Sequence, residues 1–86
     1  MAPGRISWPT IYPIPASNTL YVESDMDLSQ VVYEVIDYKG RIVLTGSFNA
    51  YTGTTGIDIK NLGKGSYILR FSGKDYLETR SFIVSD

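Results

Sequence analysis

Hydrophobic and polar residues alternate with a period of two along most of the chain, and no window carries the 3.6-residue stripe of an amphipathic helix. The alternation predicts seven extended segments. They lie at 6–12, 19–23, 30–37, 41–48, around 57–59, at 67–71 and at 76–84. Prolines at positions 9, 13 and 15 make the first of these an edge strand or an irregular lead-in, because proline donates no ladder hydrogen bond.

Turn signals separate these segments. Residues 37–40 (DYKG) join the third and fourth segments into a predicted hairpin, and the polar, glycine-punctuated residues 49–56 are predicted to form a loop. The side chains predicted to face the core are Leu20, Val22, Ile42, Leu44, Phe48, Ile57, Ile59, Tyr67, Leu69, Phe71, Phe82 and Val84. Seven short antiparallel strands separated by turns predict an all-β fold, an immunoglobulin-like β-sandwich of two sheets.

Residues 57–70 (IDIKNLGKGSYILR) place a glycine-rich turn between two alternating runs. In immunoglobulin-like sandwiches, a tyrosine near the start of the sixth strand bonds its hydroxyl to upstream backbone and forms a tyrosine corner. Leu62, Gly65 and Tyr67 are predicted to form such a corner. The alternative, a phosphate-binding loop, fails because Gly-Lys-Gly-Ser lacks the leading glycine and the spacing of a Walker motif.

The composition limits the chemistry that the chain can carry. Eighty-six residues make one small domain, and a net charge of −1 gives no reason to expect nucleic acid as a partner. The longest apolar runs, such as residues 42–44, are far too short to span a membrane. The chain has no histidine and no cysteine, which removes imidazole and thiolate metal sites and the common nucleophile systems. We therefore expect no catalysis and no cofactor.

Two further groups of residues are candidates for binding a ligand. Residues 23–27 (ESDMD) carry three acids at alternate positions, but Gln30 and Ile36 stand where a calcium loop needs glycine and glutamate, so a solvated acidic turn is predicted. The aromatic residues predicted to be partly exposed are Trp8, Tyr12, Tyr21, Tyr38, Tyr51 and Tyr76. A row of them would suit stacking on a sugar or a protein, although half-buried packing within strands is the favoured interpretation.

Three segments, in this order, carry a resemblance to a known family. They are residues 12–20 (YPIPASNTL), 35–43 (VIDYKGRIV) and 57–70. They resemble the opening Tyr-Pro-Asn-Pro pattern, the Asp-x-x-Gly-Arg hairpin and the Ile-Asp-x-x-x-Leu-x-x-Gly-x-Tyr-x-Leu block of one family. That family is the C-terminal sorting domain of the type IX secretion system in Bacteroidetes, and the likeness covers residues 11–84.

The resemblance implies a domain at the C-terminus of a larger exported protein. The outer-membrane translocon would recognise it in the periplasm, and a cell-surface sortase would then cut upstream of it and join the cargo to anionic lipopolysaccharide. On this expectation residues 1–10 are a linker or its remnant and residues 11–86 are the sorting domain. Its expected location is the periplasm in transit, then the outer membrane, the cell surface or the medium. The implied partners are the translocon, the sortase and lipopolysaccharide.

The resemblance also carries site residues over to this chain. The matching positions are Tyr12, Pro13, Pro15, Asp37, Gly40, Arg41, Leu62, Gly65 and Tyr67. Most of them have an interpretation as turn and corner residues. Arg41 differs from these structural residues, because a residue that follows glycine in a hairpin is not expected to need a guanidinium to hold the turn. We therefore predict that Arg41 contacts the translocon or the sortase together with the final residues, which are Ser81, Phe82, Ile83, Val84, Ser85 and Asp86.

Two departures from the family pattern leave other functions open. Ile14 replaces the usual asparagine, and acidic neighbours balance Lys74 and Arg80 in the last part of the chain. One alternative is the same domain retained uncleaved on a component of the secretion or sortase machinery, where it binds sortase or lipopolysaccharide. Another is a carbohydrate-binding or fibronectin-like accessory module that uses Trp8 or Tyr51. Unpaired sheet edges also predict that the isolated domain tends to dimerise or to swap strands.

Overall fold

The computed structural model describes residues 9–25, 27–48 and 53–85. The predictions for Trp8, Tyr51 and Asp86 concern residues outside these ranges. Within them the chain forms seven antiparallel strands in two sheets, which confirms the all-β prediction. The described residues contain no helix with the length and apolar character needed to cross a membrane.

The two sheets are built from strands that are mostly short. In chain order these are β1 (Thr10–Tyr12), β2 (Thr19–Ser24), β3 (Val32–Ile36), β4 (Ile42–Ser47), β5 (Gly53–Asp58), β6 (Gly65–Gly73) and β7 (Tyr76–Val84). One sheet has the order β1-β2-β5 and the other β4-β3-β6-β7. All neighbouring strands are antiparallel, as in an immunoglobulin-like sandwich.

The core consists of the side chains that alternation directs inward from the two sheets. Leu20 and Val22 of β2 are buried, and so is Phe71 of β6, whose ring stacks on Phe48 with centroids 5.8 Å apart. Burial of a side chain of this size contributes about 1.5–3 kcal/mol. The other predicted core residues that are buried are Ile57, Ile59, Leu69, Phe82 and Val84. Leu44 and Tyr67 are half-buried and pack against this cluster.

Ile42 was expected in the core, but its side chain is 51% exposed. A β-bulge at the start of β4 is the cause, since the register between β3 and β4 shifts at Val35 and Ile36. Val35 pairs with Leu44, whereas Ile36 pairs with Ile42. Val43 is the extra residue, and it interrupts the alternation so that Ile42 faces outward.

The predicted loop at 49–56 is wrong for its last four residues, because β5 begins at Gly53. These residues pair with β2 in unbroken register, from Ser24 opposite Gly53 to Tyr21 opposite Gly56. Glycine at two of the four positions removes the apolar alternation that marks a strand. The β-branched residues between them, Thr54 and Thr55, favour the extended backbone that forms.

The segment between β1 and β2 is tied to the last strand of the other sheet. Ala16 is fully buried and forms an isolated parallel bridge with Val84 of β7. The Ala16 N–H donates to the Ile83 carbonyl at 2.8 Å, and the Ala16 carbonyl accepts from the Ser85 N–H at 2.8 Å. The same strand is held further along by Arg80, whose Nε donates to the carbonyl of Pro9 at 3.0 Å. These bonds join the two sheets along one edge of the sandwich.

Candidate functional site

The hairpin turn between β3 and β4 is organised by the carboxylate of Asp37. Its Oδ1 accepts the backbone N–H groups of Lys39 and Arg41, both at 2.9 Å. The backbone closes the same turn, since the Gly40 N–H donates to the Asp37 carbonyl at 2.9 Å. Gly40 has φ of 83°, a conformation that L side chains rarely adopt, so a glycine is required at this position.

Arg41 is part of this turn rather than an addition to it. Its Nε donates to Asp37 Oδ2 at 3.0 Å, and its Nη2 lies 3.0 Å from the same oxygen. The interpretation that the hairpin needs no guanidinium is therefore wrong, because the Arg41 side chain completes the set of donors around one carboxylate. The Asp37 side chain is only 7% exposed, whereas that of Arg41 is 67% exposed and accessible from outside.

The electrostatics of the turn follow from these contacts. The hydrogen bond from the Arg41 backbone N–H holds the pKa of Asp37 below its ordinary value, against the opposing effect of burial. The Lys39 N–H and the Arg41 guanidinium act in the same direction. Asp37 is therefore a fixed negative charge at neutral pH, and it orients the guanidinium that the turn presents.

A row of isoleucines crosses the outer face of the four-stranded sheet beside this turn. Ile42, Ile36 and Ile68 lie opposite one another on three neighbouring strands, β4, β3 and β6. On the next strand Ile83 pairs with Ser66, one step along the same face from Ile68. Ile42, Ile68 and Ile83 are all exposed. We call these four side chains, Ile36, Ile42, Ile68 and Ile83, the isoleucine row.

A groove of about 540 Å³ joins the isoleucine row to the turn. Its lining includes Asp37 and Tyr38 from the turn, Ile68 from β6, and Ser81 and Ile83 from β7. The sheet therefore brings part of the hairpin turn and the end of β7 to one surface although they lie far apart in sequence, and Arg41 is not among the residues that line this groove. Its walls combine exposed apolar side chains with hydroxyl groups, which suits contact with another protein.

The predicted residues of the last strand divide between this surface and the core. Ser81 and Ile83 are exposed on the outer face, whereas Phe82 and Val84 are buried. Ser85 is half-buried and its N–H bonds to Ala16. The side chains of Phe82 and Val84 therefore hold β7 in place, and Ser81 and Ile83 are the ones that another molecule can contact.

The tyrosine corner predicted at the start of the sixth strand is confirmed. The Tyr67 hydroxyl donates to the carbonyl of Gly63 at 2.6 Å, and its ring stacks on Phe82 with centroids 5.6 Å apart. The Leu62 N–H bonds to the carbonyl of Ile59 at 3.0 Å, and Gly65 has φ of 147°, which favours glycine. These family-matching residues thus shape the chain where it passes from one sheet to the other.

The first family-matching segment has a structural role at the opposite edge. Tyr12 lies across from Tyr21 on the outer face of the three-stranded sheet, and their rings stack with centroids 5.6 Å apart. Pro13 and Pro15 follow β1 and are exposed. They carry the chain from this edge to Ala16, the residue that bridges to β7.

The acidic turn at 23–27 holds no ion-binding cluster among its described residues. Asp27 Oδ1 accepts the Ser29 N–H at 2.8 Å, and hydrogen bonds from the Ser29 side chain and backbone lower the pKa of Asp27. Across the described ranges, no three His, Cys, Asp or Glu side chains come together in a group that could hold a metal ion. The carboxylate of Asp27 thus caps a local turn.

One ion pair on the outer face was not anticipated from the sequence. Glu34 of β3 lies opposite Arg70 of β6, and Arg70 Nε donates to Glu34 Oε1 at 2.8 Å. The only signal for it is that both residues occupy outward positions in predicted strands, which does not reveal that the two strands are neighbours. The pair marks the boundary of the isoleucine row, because Glu34 and Arg70 stand two residues from Ile36 and Ile68.

Seven antiparallel strands in two sheets, with a shallow groove on one outer face, define a small β-sandwich domain. A family model described as secretion system C-terminal sorting domain matches residues 10–85, and the chain belongs to this family of type IX sorting domains. Comparisons with curated proteins and with solved structures give no significant match. Membership implies interaction with secretion machinery and export by the type IX system to the cell surface or beyond.

Proposed function

We propose that this domain is the C-terminal export signal that the type IX outer-membrane translocon and the cell-surface sortase recognise. Its recognition leads to export of an upstream protein and to its attachment at the surface. The observation that carries the proposal is the match of the sorting-domain family to residues 10–85. In this proposal the domain passes through the periplasm and acts by being bound, without catalysing a reaction.

The groove between the hairpin turn and β7 is the surface that we assign to this recognition. Arg41 is held by Asp37 in one orientation, so little side-chain entropy is lost when a partner binds the guanidinium. Ile68 and Ile83 supply exposed apolar area in the groove, whose lining includes Asp37, the residue that binds the guanidinium. Arginine is enriched at protein interfaces, and the central part of an interface is more apolar than the rest of the protein surface.

The ionisable groups of the described residues support a binding role. Several of the described carboxylates are engaged in ion pairs, as Asp37 is with Arg41 and Glu34 with Arg70. Glu78 likewise pairs with Arg80 at 2.8 Å. The chain has no histidine or cysteine, so it cannot form a Ser-His or Cys-His nucleophile system.

A reporter fusion tests the proposal in a bacterium that carries the type IX system. The reporter has its own signal peptide and ends in residues 1–86, and its distribution among periplasm, cell surface and medium is measured by immunoblotting. We expect the fusion on the surface or in the medium, and the same reporter without the domain in the periplasm. Retention of a correctly folded fusion in the periplasm would contradict the proposal.

A matched pair of substitutions tests the groove. Ile83→Lys changes a side chain that is 49% exposed within the groove, and Leu77→Lys changes one that is 67% exposed on the same face of β7. We expect Ile83→Lys to lower export about tenfold and Leu77→Lys to leave it within about twofold. Thermal unfolding of both purified domains checks that each folds. Deletion of residues 82–86 is a poorer test, since it also removes Phe82 and Val84 from the core.

One observation favours a second candidate, the domain retained uncleaved on a component of the secretion or sortase machinery. Arg80 of β7 is bonded to Glu78 and to the Pro9 carbonyl, so this basic residue of the last strand is already engaged within the domain. Mass spectrometry of surface and periplasmic fractions distinguishes the two candidates. Peptides from 65–85 still joined to the mature surface protein would favour the retained form, and their loss would favour cleaved cargo.

A further inference from the structure

The four edge strands of the sandwich differ in how well they are protected against pairing with another chain. An edge strand carries unpaired N–H and C=O groups, and natural proteins cover such edges or place proline, charge or bulges on them. In the four-stranded sheet the edges are β4 and β7, and in the three-stranded sheet they are β1 and β5. A strand from another molecule can join only an edge that is open.

Two of the edges are obstructed. β7 is bridged at its end by Ala16, and Arg80 is bonded to the carbonyl of Pro9. β1 has only three residues and lies between Pro9 and Pro13, so it offers few free backbone groups. Neither strand presents a continuous edge to which a further strand could be added.

The edge at β5 is a poor acceptor of another strand for a different reason. It contains two glycines, Gly53 and Gly56, which lower the propensity of the strand to pair. It ends at Asp58, which forms an ion pair of 3.7 Å with Lys60, and both of these side chains are exposed. Charge at the end of an edge strand disfavours the addition of another chain.

The edge at β4 is protected less than the other three, since it contains one glycine, Gly46, where β5 contains two. The strand reads IVLTGS and contains neither a charged residue nor proline. Its bulge is confined to the start, and from Leu44 to Ser47 it pairs with β3 in regular register. In an antiparallel sheet the backbone groups of alternate residues in an edge strand point away from the sheet, so this stretch offers them to a partner.

The isoleucine row supplies the side-chain part of the same surface. Ile42 is its last member, and it lies on β4, beside which the described residues place no further strand. A strand added beside β4 would place an outward side chain next to Ile42 and extend the row by one position. An apolar residue is favoured there, because it would cover an isoleucine that is 51% exposed.

We propose that the β4 edge accepts an extended segment of a protein of the export machinery as a fifth strand of this sheet. This inference rests on the proposed function and assigns the edge at which the partner binds. Backbone hydrogen bonds alongside residues 44–47 supply most of the contact, and one apolar side chain of the partner packs against Ile42. Recognition of this kind depends on edge geometry more than on side-chain identity.

Each of the four edge strands contains a threonine, which allows one substitution to be compared at all four edges. These residues are Thr10, Thr45, Thr54 and Thr79. Lysine on an edge strand hinders strand addition while the strand itself remains folded. In the reporter fusion we expect Thr45→Lys to lower export about tenfold and the other three lysine variants to leave it within about twofold.

A conservative variant separates the backbone of β4 from its side chain. Thr45→Val keeps the shape and β-propensity and removes only the hydroxyl, so we expect normal export. Loss of export in both Thr45→Val and Thr45→Lys would show that the hydroxyl itself is recognised and would overturn strand addition. Unfolding temperatures within a few degrees of the unmodified domain show that the loss does not come from misfolding.

The outcomes distinguish this inference from the function on which it rests. Export of the unmodified fusion and of Thr45→Lys at equal levels overturns strand addition at β4 and leaves the export signal standing. A loss confined to Thr54→Lys or Thr79→Lys would move the docking edge to β5 or β7 and also overturn it. Sedimentation tests whether a second copy of the domain, rather than a protein of the export machinery, pairs with the β4 edge. If the unmodified domain is a dimer, and Thr45→Lys dissociates the dimer without changing export, the proposal is refuted.

Discussion

The carboxylate of Asp37 binds Arg41 at both its backbone and its side chain. Oδ1 accepts the Arg41 N–H at 2.9 Å, and Oδ2 accepts the guanidinium Nε at 3.0 Å. One residue thereby fixes the path of the chain into β4 and the direction of an exposed cation. The same arginine is thus a structural part of the turn and the residue that we assign to partner recognition.

Replacement of Arg41 by alanine should lower both stability and export. The Asp37 carboxylate then keeps its backbone donors but loses the guanidinium, so we expect the melting temperature to fall by a few degrees. Arg41→Lys should recover little of either property, because an ammonium cannot reproduce the planar fork of donors. Lys39→Ala is the control, since Lys39 is exposed and gives the carboxylate only its backbone N–H. Normal export of a folded Arg41→Ala domain would remove Arg41 from the recognition surface.

The stability of the domain should fall in acid because of Asp37. Its pKa in the folded state is lower than the ordinary value of 3.8, so its contribution is present above that value and is lost as the pH falls through the folded pKa. Urea unfolding between neutral pH and strong acid measures this loss. Asp37→Asn should be less stable at neutral pH and should show a shallower decline in acid. An unchanged acid dependence would show that other carboxyl groups dominate it.

Tyr67→Phe tests the tyrosine corner. The substitution keeps the ring that stacks on Phe82 and removes the hydroxyl that donates to Gly63. We expect the free energy of unfolding to fall by about 0.5–1.5 kcal/mol, the usual net contribution of one hydrogen bond. Tyr38→Phe is the control, because Tyr38 is 78% exposed, and it should change the free energy by less than about 0.5 kcal/mol.

Tyr76→Phe should have the opposite effect. The Tyr76 hydroxyl is buried and has no hydrogen-bond partner among the described residues, and burial raises the pKa of this side chain. Phenylalanine keeps the ring that packs against the core and removes the group that lost its hydration. We expect the free energy of unfolding to rise by about 1 kcal/mol in chemical denaturation. A decrease of that size would show that the hydroxyl is hydrogen-bonded in solution.

Gly46→Ala should destabilise the hairpin of β3 and β4. A Cβ atom at this position would overlap the Tyr33 ring and hydroxyl, and it would lie 2.7 Å from Tyr33 Cε2. The Tyr33 ring cannot move aside freely because it packs on Phe48, with centroids 5.2 Å apart. We expect a loss of about 1–3 kcal/mol, as in other overpacked sites. Gly63→Ala is the control, since no atom lies within 4 Å of a Cβ built there.

The strands and the corner were predictable because their signals are local. Alternation placed Leu20, Phe71 and Phe82 in the core, and Leu62, Gly65 and Tyr67 marked a corner that the tyrosine hydroxyl closes. The start of β5 was missed for an equally local reason. Gly53 and Gly56 supply no side chains to alternate, so the pairing with β2 decided the strand.

The surface was harder to predict because it depends on which strands become neighbours. Ile36, Ile42 and Ile68 form a row only after β3 pairs with both β4 and β6. The bulge at Val43 then turns Ile42 outward, a displacement that strict alternation cannot represent. The contact between Asp37 and the Arg41 guanidinium is local in sequence, but the pattern Asp-x-x-Gly-Arg alone does not reveal how the side chain folds back.

The bridge between Ala16 and β7 also determines how the domain bears mechanical load. Two backbone hydrogen bonds of 2.8 Å, to Ile83 and Ser85, fasten the segment before β2 to the last strand. Because that pairing is parallel, tension applied upstream of Ala16 along the strand axis strains both bonds together in shear. A pull from upstream therefore loads the pairing of β1 with β2 and the Ala16 bridge together, and the bridge passes part of the force to β7 instead of leaving all of it on β2.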